Sequence, residues 1–201
     1  MLIKELSLLH SHINLFCIKY DKSRDISYTE AFQRYLYNRY SLKNFDICYN
    51  KYGKPYFKDN ELYFNISHSG AWVICAVNEH EIGIDLQCIN KRKNNFFREY
   101  LSLDEQQLSI KSWNQDKIFT LIWILKESYS KYKGSGLQII DSIKVYSLTP
   151  KPEIYFRDSE EEYVFDYGLL DSSHMFALCY KGECKKNLSV NKLKRSEIIG
   201  N

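Results

Sequence analysis

The 201-residue chain predicts an α+β fold. Three observations carry that expectation. Short runs alternate apolar and polar residues as strands do, other stretches repeat apolar residues at helical spacing, and the two kinds come in a particular order. A helix followed by three strands precedes further helices followed by three or more strands, a faint structural repeat that residue identity barely supports.

An early strand is read near 13–19, a helix from about 24 to 40, and strands around 46–49, 62–67, 71–77 and 81–87. Helices follow near 93–100, 103–110 and 115–133. The rest is β-rich, with SIKVYSL, EIYFRD, EYVFDYGLL and HMFALCY as strands. A content of 44% hydrophobic residues fits a globular protein, and a formal charge of +3 is too small to imply nucleic-acid binding.

The six cysteines, at 17, 48, 75, 88, 179 and 184, form neither a zinc pattern nor a disulfide framework, so they read as reduced and structural in a cytoplasmic protein. The apolar start LLHSHINLFCI is broken by two histidines and an asparagine, and lacks both a cleavage site and the length to span a bilayer. No membrane association is expected.

Residues 119–137, FTLIWILKESYSKYKGSGL, carry the strongest chemical signal. On a helix Trp123, Glu127, Ser130 and Lys131 share a face, Lys126 lies beside it, and Gly134 and Gly136 provide a helix stop. A carboxylate set between lysines suits a metal ion together with a polyphosphate, although the same Glu–Lys spacing is also that of an ordinary solvent-facing pair. Upstream, YFNISHSGAWVICAV at 63–77 reads as strand, tight turn and strand. Its polar hexad, Asn65 to Gly70, either offers donors to phosphate oxygens or satisfies its own turn. EIGIDLQCI at 81–89 sets Asp85 inside a strand-like run, where the acid needs a lysine or a metal as partner, or else a strand end in solvent.

Together with YGKPYF at 52–57, these segments resemble the 4′-phosphopantetheinyl transferases of the surfactin-synthetase-activating type. The family's GKP, FNxSHS, GIDxE and WxxKEAxxKxxGxGL segments stand here as Gly53-Lys54-Pro55, Phe64 to Ser69, Gly83 to Gln87, and Trp123 to Leu137. The likeness runs from about Arg24 to about Cys179.

The resemblance implies two similar α/β lobes related by a pseudo-twofold axis, with the active site in the cleft between them and the join near Gly83 to Gln87. It places the N-terminal lobe at 1–84, the C-terminal lobe at 85–184 and a basic tail at 185–201. It further implies a monomer that moves the phosphopantetheine arm of coenzyme A onto a serine of an acyl or peptidyl carrier protein, releasing 3′,5′-ADP. Mg2+ would be held by Asp85 and Glu127, with Gln87 a weak or water-mediated ligand. Glu127 would take the serine proton directly or through water, and Lys131 and Lys126 would balance pyrophosphate charge. Arg24, Lys54, Ser67 and His68 would grip the nucleotide end.

Two departures stand out. Gln87 occupies a position where the family usually carries a second acid, which leaves open a non-catalytic relative that binds coenzyme A or a carrier protein. Only Lys19 and Lys22 stand where a lysine-rich stretch is usual, so the N-terminal lobe reads as shortened and its 3′-phosphate contact as reduced. Phe96, Phe97, Tyr100 and Leu101 read either as an apolar carrier-docking patch or as lobe packing. The tail, with Lys185, Lys186, Lys192, Lys194 and Arg195, reads as a solvated helix or frayed end.

Overall fold

The computed structural model describes residues 13–19, 27–42, 46–58, 62–90, 97–112, 114–148, 152–157, 161–182, 191–192 and 197. Arg24, Lys22, Phe96, Cys184, Lys185, Lys186, Lys194 and Arg195 lie outside them.

The fold mixes helices with several small sheets. One sheet has the order β11-β1-β5-β4, built from β1 (Asn14–Lys19), β4 (Tyr63–Ser69), β5 (Trp72–Asn78) and β11 (Asn191–Lys192). A second has the order β6-β10-β9, from β6 (Ile82–Cys88), β9 (Val164–Leu169) and β10 (His174–Tyr180). Two hairpins complete the sheets, β2 (Ile47–Tyr49) with β3 (Pro55–Phe57) and β7 (Ile143–Ser147) with β8 (Glu153–Phe156). Among the described residues the helices are α1 (Tyr28–Tyr40), α2 (Leu103–Ile110) and α3 (Gln115–Lys133), with 3₁₀ turns at Arg98–Tyr100 and Gly136–Ser142.

Period-two alternation sorts each central strand between two cores. Leu15, Cys17, Ile74 and Ala76 meet Ile82, Ile84, Leu86, Phe176, Leu178 and Tyr180, so the inner faces of the two large sheets share one core. The outer face of the first sheet, Phe16, Ile18, Val73, Cys75 and Val77, packs on Ala31, Phe32 and Leu36 of α1. The outer face of the second, through Met175 and Ala177, packs on Leu121, Ile122 and Leu125 of α3. Helix, sheet, sheet and helix thus stack as layers, each fully buried Phe, Leu or Ile contributing about 1.5–3 kcal/mol.

The helix boundaries follow local chemistry. Helix α2 begins in a capping box in which the Ser102 side chain accepts from the Glu105 amide and the Glu105 carboxylate accepts from the Ser102 amide. Helix α3 begins at Asn114, whose side chain accepts from the Lys117 amide, and ends at Gly134 with φ 62°.

Three expectations differ from the structure. Strand β4 runs on through Ser69, and only Gly70 and Ala71 turn, because the alternating polar residues of this segment find partners across the molecule. Pro55 to Phe57 form a strand, with Pro55 at its first position, where a missing amide is tolerated. Within the expected tail, Asn191 and Lys192 form a short strand parallel to β1, and the Lys192 ammonium lies over the Trp72 ring.

The packing of α3 on β6 depends on one residue. A Cβ at Gly83 would lie 2.0 Å from the Ser128 carbonyl oxygen and 2.3 Å from the Tyr132 amide nitrogen, both backbone atoms of α3. Gly83→Ala is therefore expected to cost about 3 kcal/mol or more by forcing helix and strand apart, measured as a fall in the denaturant midpoint.

Candidate active site

Strands β4 and β6 are not joined by main-chain hydrogen bonds; side chains of β4 reach across instead. The Asn65 side-chain oxygen accepts from the Ile84 amide at 2.9 Å, Ser67 Oγ from the Leu86 amide at 3.0 Å, and Ser69 Oγ from the Cys88 amide at 2.9 Å. Every second amide of β6 points this way while the strand pairs antiparallel with β10 on its other edge. Phe64 and Ile66, of opposite parity on β4, turn to the α1 core.

The residues of β6 between those amides face α3. Asp85 is only 5% exposed. Its Oδ1 accepts from Ser67 Oγ at 2.9 Å and from Lys131 Nζ at 2.7 Å, and Lys131 also donates to Ser67 Oγ at 2.8 Å. A serine hydroxyl has one hydrogen to donate and two lone pairs to accept with. Ser67 spends all three, on Asp85, the Leu86 amide and Lys131. Asp85 Oδ2 is buried and meets no hydrogen-bond donor among the described residues.

Glu127 stands one helical turn before Lys131 and lines a cleft of about 260 Å³ with Tyr52, Gly53, Lys54, Pro55, Ile66, Ser130, Lys131, Gly134, Gly136 and Leu137. Burial and then the negative charge of Asp85 push its carboxyl up to about 7, against the opposing pull of Lys131. The Asn50 side-chain amide donates at 2.8 Å to the carbonyl of Gly134, one of the residues that line the cleft. A Cβ at Gly134 would lie 2.5 Å from that Asn50 nitrogen, so this position needs glycine for space as well as for its positive φ.

Asp85, Glu127 and Lys131 are thus brought together, as expected. The other expected residues divide. Ser67 is present, but its saturated hydroxyl holds Asp85 and leaves no bond for a nucleotide. Lys54 borders the cleft through its stem, while its ammonium turns inward to Glu81, the Ile82 carbonyl at 3.2 Å and the Tyr132 carbonyl at 3.0 Å. Three donors meet three acceptors, so the cleft sees the backbone of Gly53 to Pro55 in place of a free cation. Burial lowers the Lys54 pKa and Glu81 raises it again.

Lys126 departs furthest from expectation. It is 2% exposed and lies outside the cleft, bonded to Glu105 Oε1 at 3.2 Å, Glu105 Oε2 at 3.0 Å and the Tyr100 carbonyl at 3.2 Å. One position from Glu127, it is turned about 100° around the helix, into the contact of α3 with α2. Glu105 also accepts from the Val145 amide, so this pair ties α2, α3 and β7 together.

His68 lies on the α1 side of β4, exposed, with its ring 4.8 Å from that of Tyr28 and away from the Asp85 face. Gln87 faces the same way as Asp85, and its side-chain oxygen accepts from Ser69 Oγ at 2.9 Å, which repeats the Ser67–Asp85 pair two residues along. Phe97 and Leu101 are buried, Phe97 stacked on Trp123 at 4.1 Å, so these two pack the interior rather than form a docking patch. Sequence reasoning set Asn65 in a turn that offers donors to phosphate or satisfies itself, where the structure has it accepting from β6, and it missed Asn50. The signal for Asn65 was the period of two in Asn65, Ser67 and Ser69; Asn50 left none.

No group of three or more His, Cys, Asp or Glu side chains able to hold a metal occurs among the described residues. An unpartnered Asp85 oxygen beside a carboxylate whose charged form is disfavoured does suit Mg2+, which takes one or two carboxylates and fills its remaining positions with water and phosphate oxygens.

Comparison with known proteins shows the family. The profile of the 4′-phosphopantetheinyl transferase superfamily matches residues 81–179. The 4′-phosphopantetheinyl transferase gsp of Aneurinibacillus migulanus is 32% identical over 175 residues, covering 83% of this chain and 72% of the relative. The chain belongs to this family. Sfp of Bacillus subtilis strain 168 is 36% identical over 113 residues, and HetI of Nostoc sp. is 36% identical over 115. These two alignments cover 50% of Sfp and 46% of HetI. The transferase profile begins at Glu81, so it takes in Asp85, Glu127 and Lys131 but not the β4 side chains that hold Asp85.

Two substitutions separate support from chemistry. Lys126→Met leaves Glu105 buried without its cation and is expected to cost about 3–5 kcal/mol, read by chemical denaturation. Ser67→Ala strips one acceptor from the Leu86 amide and one donor from Asp85, and is expected to cost about 1–3 kcal/mol in the same measurement.

Proposed function

We propose that the protein transfers the 4′-phosphopantetheine arm of coenzyme A to a serine hydroxyl of an acyl or peptidyl carrier protein, with release of 3′,5′-ADP. The observation that carries this reading is that Glu127 and Lys131 line one cleft while Lys131 also bonds the buried Asp85, whose second oxygen meets no donor among the described residues. Membership of the transferase family supplies the reaction class; the residue roles are our reading.

In the transfer the serine oxygen bonds to the phosphorus that carries the pantetheine arm. The bond from that phosphorus to the bridging oxygen breaks, and 3′,5′-ADP leaves with the electron pair. The serine proton must go elsewhere, and Glu127 is the carboxylate on the cleft wall placed to receive it. Lys131 lies one turn on and faces the same cleft, where its charge offsets that of the diphosphate. Gly53 to Pro55, held by the inward bonds of Lys54, line the same cleft and would offer a surface for the nucleotide end. Asp85 Oδ2 and Glu127 would hold Mg2+, which supplies neutralisation of pyrophosphate charge.

We read the two large sheets, each with a helix on its outer face, as the two related lobes of this family, with the cleft at their seam. No helix among the described residues is long and apolar enough to cross a membrane. A binding-only relative is the competing reading, favoured by Gln87, which leaves the site with two carboxylates.

Intact mass spectrometry of an apo carrier protein incubated with coenzyme A and Mg2+ decides between them. The transferase adds a phosphopantetheine mass to the carrier serine, and Glu127→Gln is expected to slow that gain by about 100-fold or more. Binding of coenzyme A with no mass gain by the wild-type protein would overturn the catalytic reading. Undiminished transfer by Glu127→Gln would remove Glu127 from the mechanism.

A further inference from the structure

Three lysines stand around the site, and they differ in how their ammonium groups are satisfied. Those of Lys54 and Lys126 each meet three acceptors. Lys131 is 28% exposed at its side chain and meets two, Asp85 Oδ1 and Ser67 Oγ, among the described residues. A third N–H is left on the cleft side for an incoming oxygen.

The Asp85 carboxylate is correspondingly divided. Its Oδ1 is filled by Ser67 and Lys131, and its Oδ2 is buried and meets no donor among the described residues. A divalent cation at Oδ2 would therefore share one carboxylate with an ammonium group already in place. Two cations on one partly buried carboxylate repel each other strongly, because little water lies between them.

Charge balance points the same way. Asp85 and Glu127 together carry two negative charges when ionised, and Lys131 returns one. A divalent ion alone would leave the group positive, whereas a diphosphate arriving with it would restore the balance and engage the spare N–H of Lys131.

We propose that Lys131 is a resident counter-cation of Asp85 that keeps divalent metal off the free protein and couples metal binding to the arrival of a diphosphate. This rests on the metal-binding reading of Asp85 and Glu127 above. Metal and diphosphate then raise each other's affinity reciprocally, and the coupling resides in one side chain.

The test is Mn2+ binding followed by electron paramagnetic resonance, with and without saturating coenzyme A, on wild type, Lys131→Met and Lys131→Arg. Wild type is expected to bind Mn2+ weakly alone and about tenfold more tightly with coenzyme A. Lys131→Met is expected to bind Mn2+ about tenfold more tightly than wild type without coenzyme A, and to lose most of the coenzyme A-dependent gain. Lys131→Arg keeps the charge and should keep the wild-type pattern. Thermal melts establish that each variant is folded, and Lys131→Gln replaces the methionine variant if that fails to fold.

A folded, neutral Lys131 variant that binds Mn2+ no more tightly than wild type overturns the proposal while leaving the carboxylate pair standing. Absence of Mn2+ binding by wild type even with coenzyme A removes the metal reading and this inference with it.

Discussion

Every second amide of β6 faces β4 instead of β10, and a buried amide that loses its acceptor costs about 1–3 kcal/mol. Main-chain pairing would have answered those amides with β4 carbonyls at the usual strand spacing of about 4.8 Å. The chain answers them with Asn65, Ser67 and Ser69, short side chains at a period of two, so the strands stand apart by the reach of a side chain. Much of the site follows from that arrangement. The hydroxyl that satisfies the Leu86 amide has a hydrogen left over, and it spends it on the carboxylate next to that amide. Seam and site are therefore one network, and the orientation of Asp85 is set by the contact that joins the two sheets.

The same logic separates three lysines that look alike in the sequence. An ammonium group carries three donors, and where the fold supplies three acceptors the group becomes a strut. Lys54 is such a strut between the β2–β3 hairpin and the end of α3, and Lys126 is another between α2, α3 and the turn at Tyr100. Only Lys131 keeps both exposure and spare donor capacity. A positive charge near a cleft is thus no measure of its use there; what decides is how many acceptors the protein has already provided.

Much of the architecture was legible because the periodicities are clean. Helices α2 and α3 match their expected spans, as does β10, since capping residues and apolar spacing agree in the helices and a run of apolar and aromatic residues marks the strand. Asp85 was legible as an acid needing a partner, and Glu127 and Lys131 as neighbours on one helix face. The seam was not legible. Asn65, Ser67 and Ser69 look like turn residues until it is known that β6 lies alongside, and that pairing joins residues 19 positions apart without a main-chain ladder to announce it. Lys126 failed for a related reason. Helical position tells which residues neighbour Glu127 in sequence, but the direction of Lys126 was set by Glu105, an acid on another helix that does double service as a cap.

Gly83 and Gln87 then show how narrow the tolerance of the site is. With no side chain at Gly83, α3 lies directly on β6, and two residues further along the strand the Asp85 carboxylate comes within 2.7 Å of an ammonium that α3 delivers. Two residues further still, Gln87 repeats the geometry of Asp85 with its own serine, but as an amide it brings no charge. Had an acid stood there, a third carboxylate would face the single ammonium of Lys131, and the protein alone would present enough negative charge to hold a divalent ion. With Gln87 in place the balance is closer to neutral. On the proposed metal-binding reading, then, the charge that completes the site comes largely from the phosphate that enters the cleft.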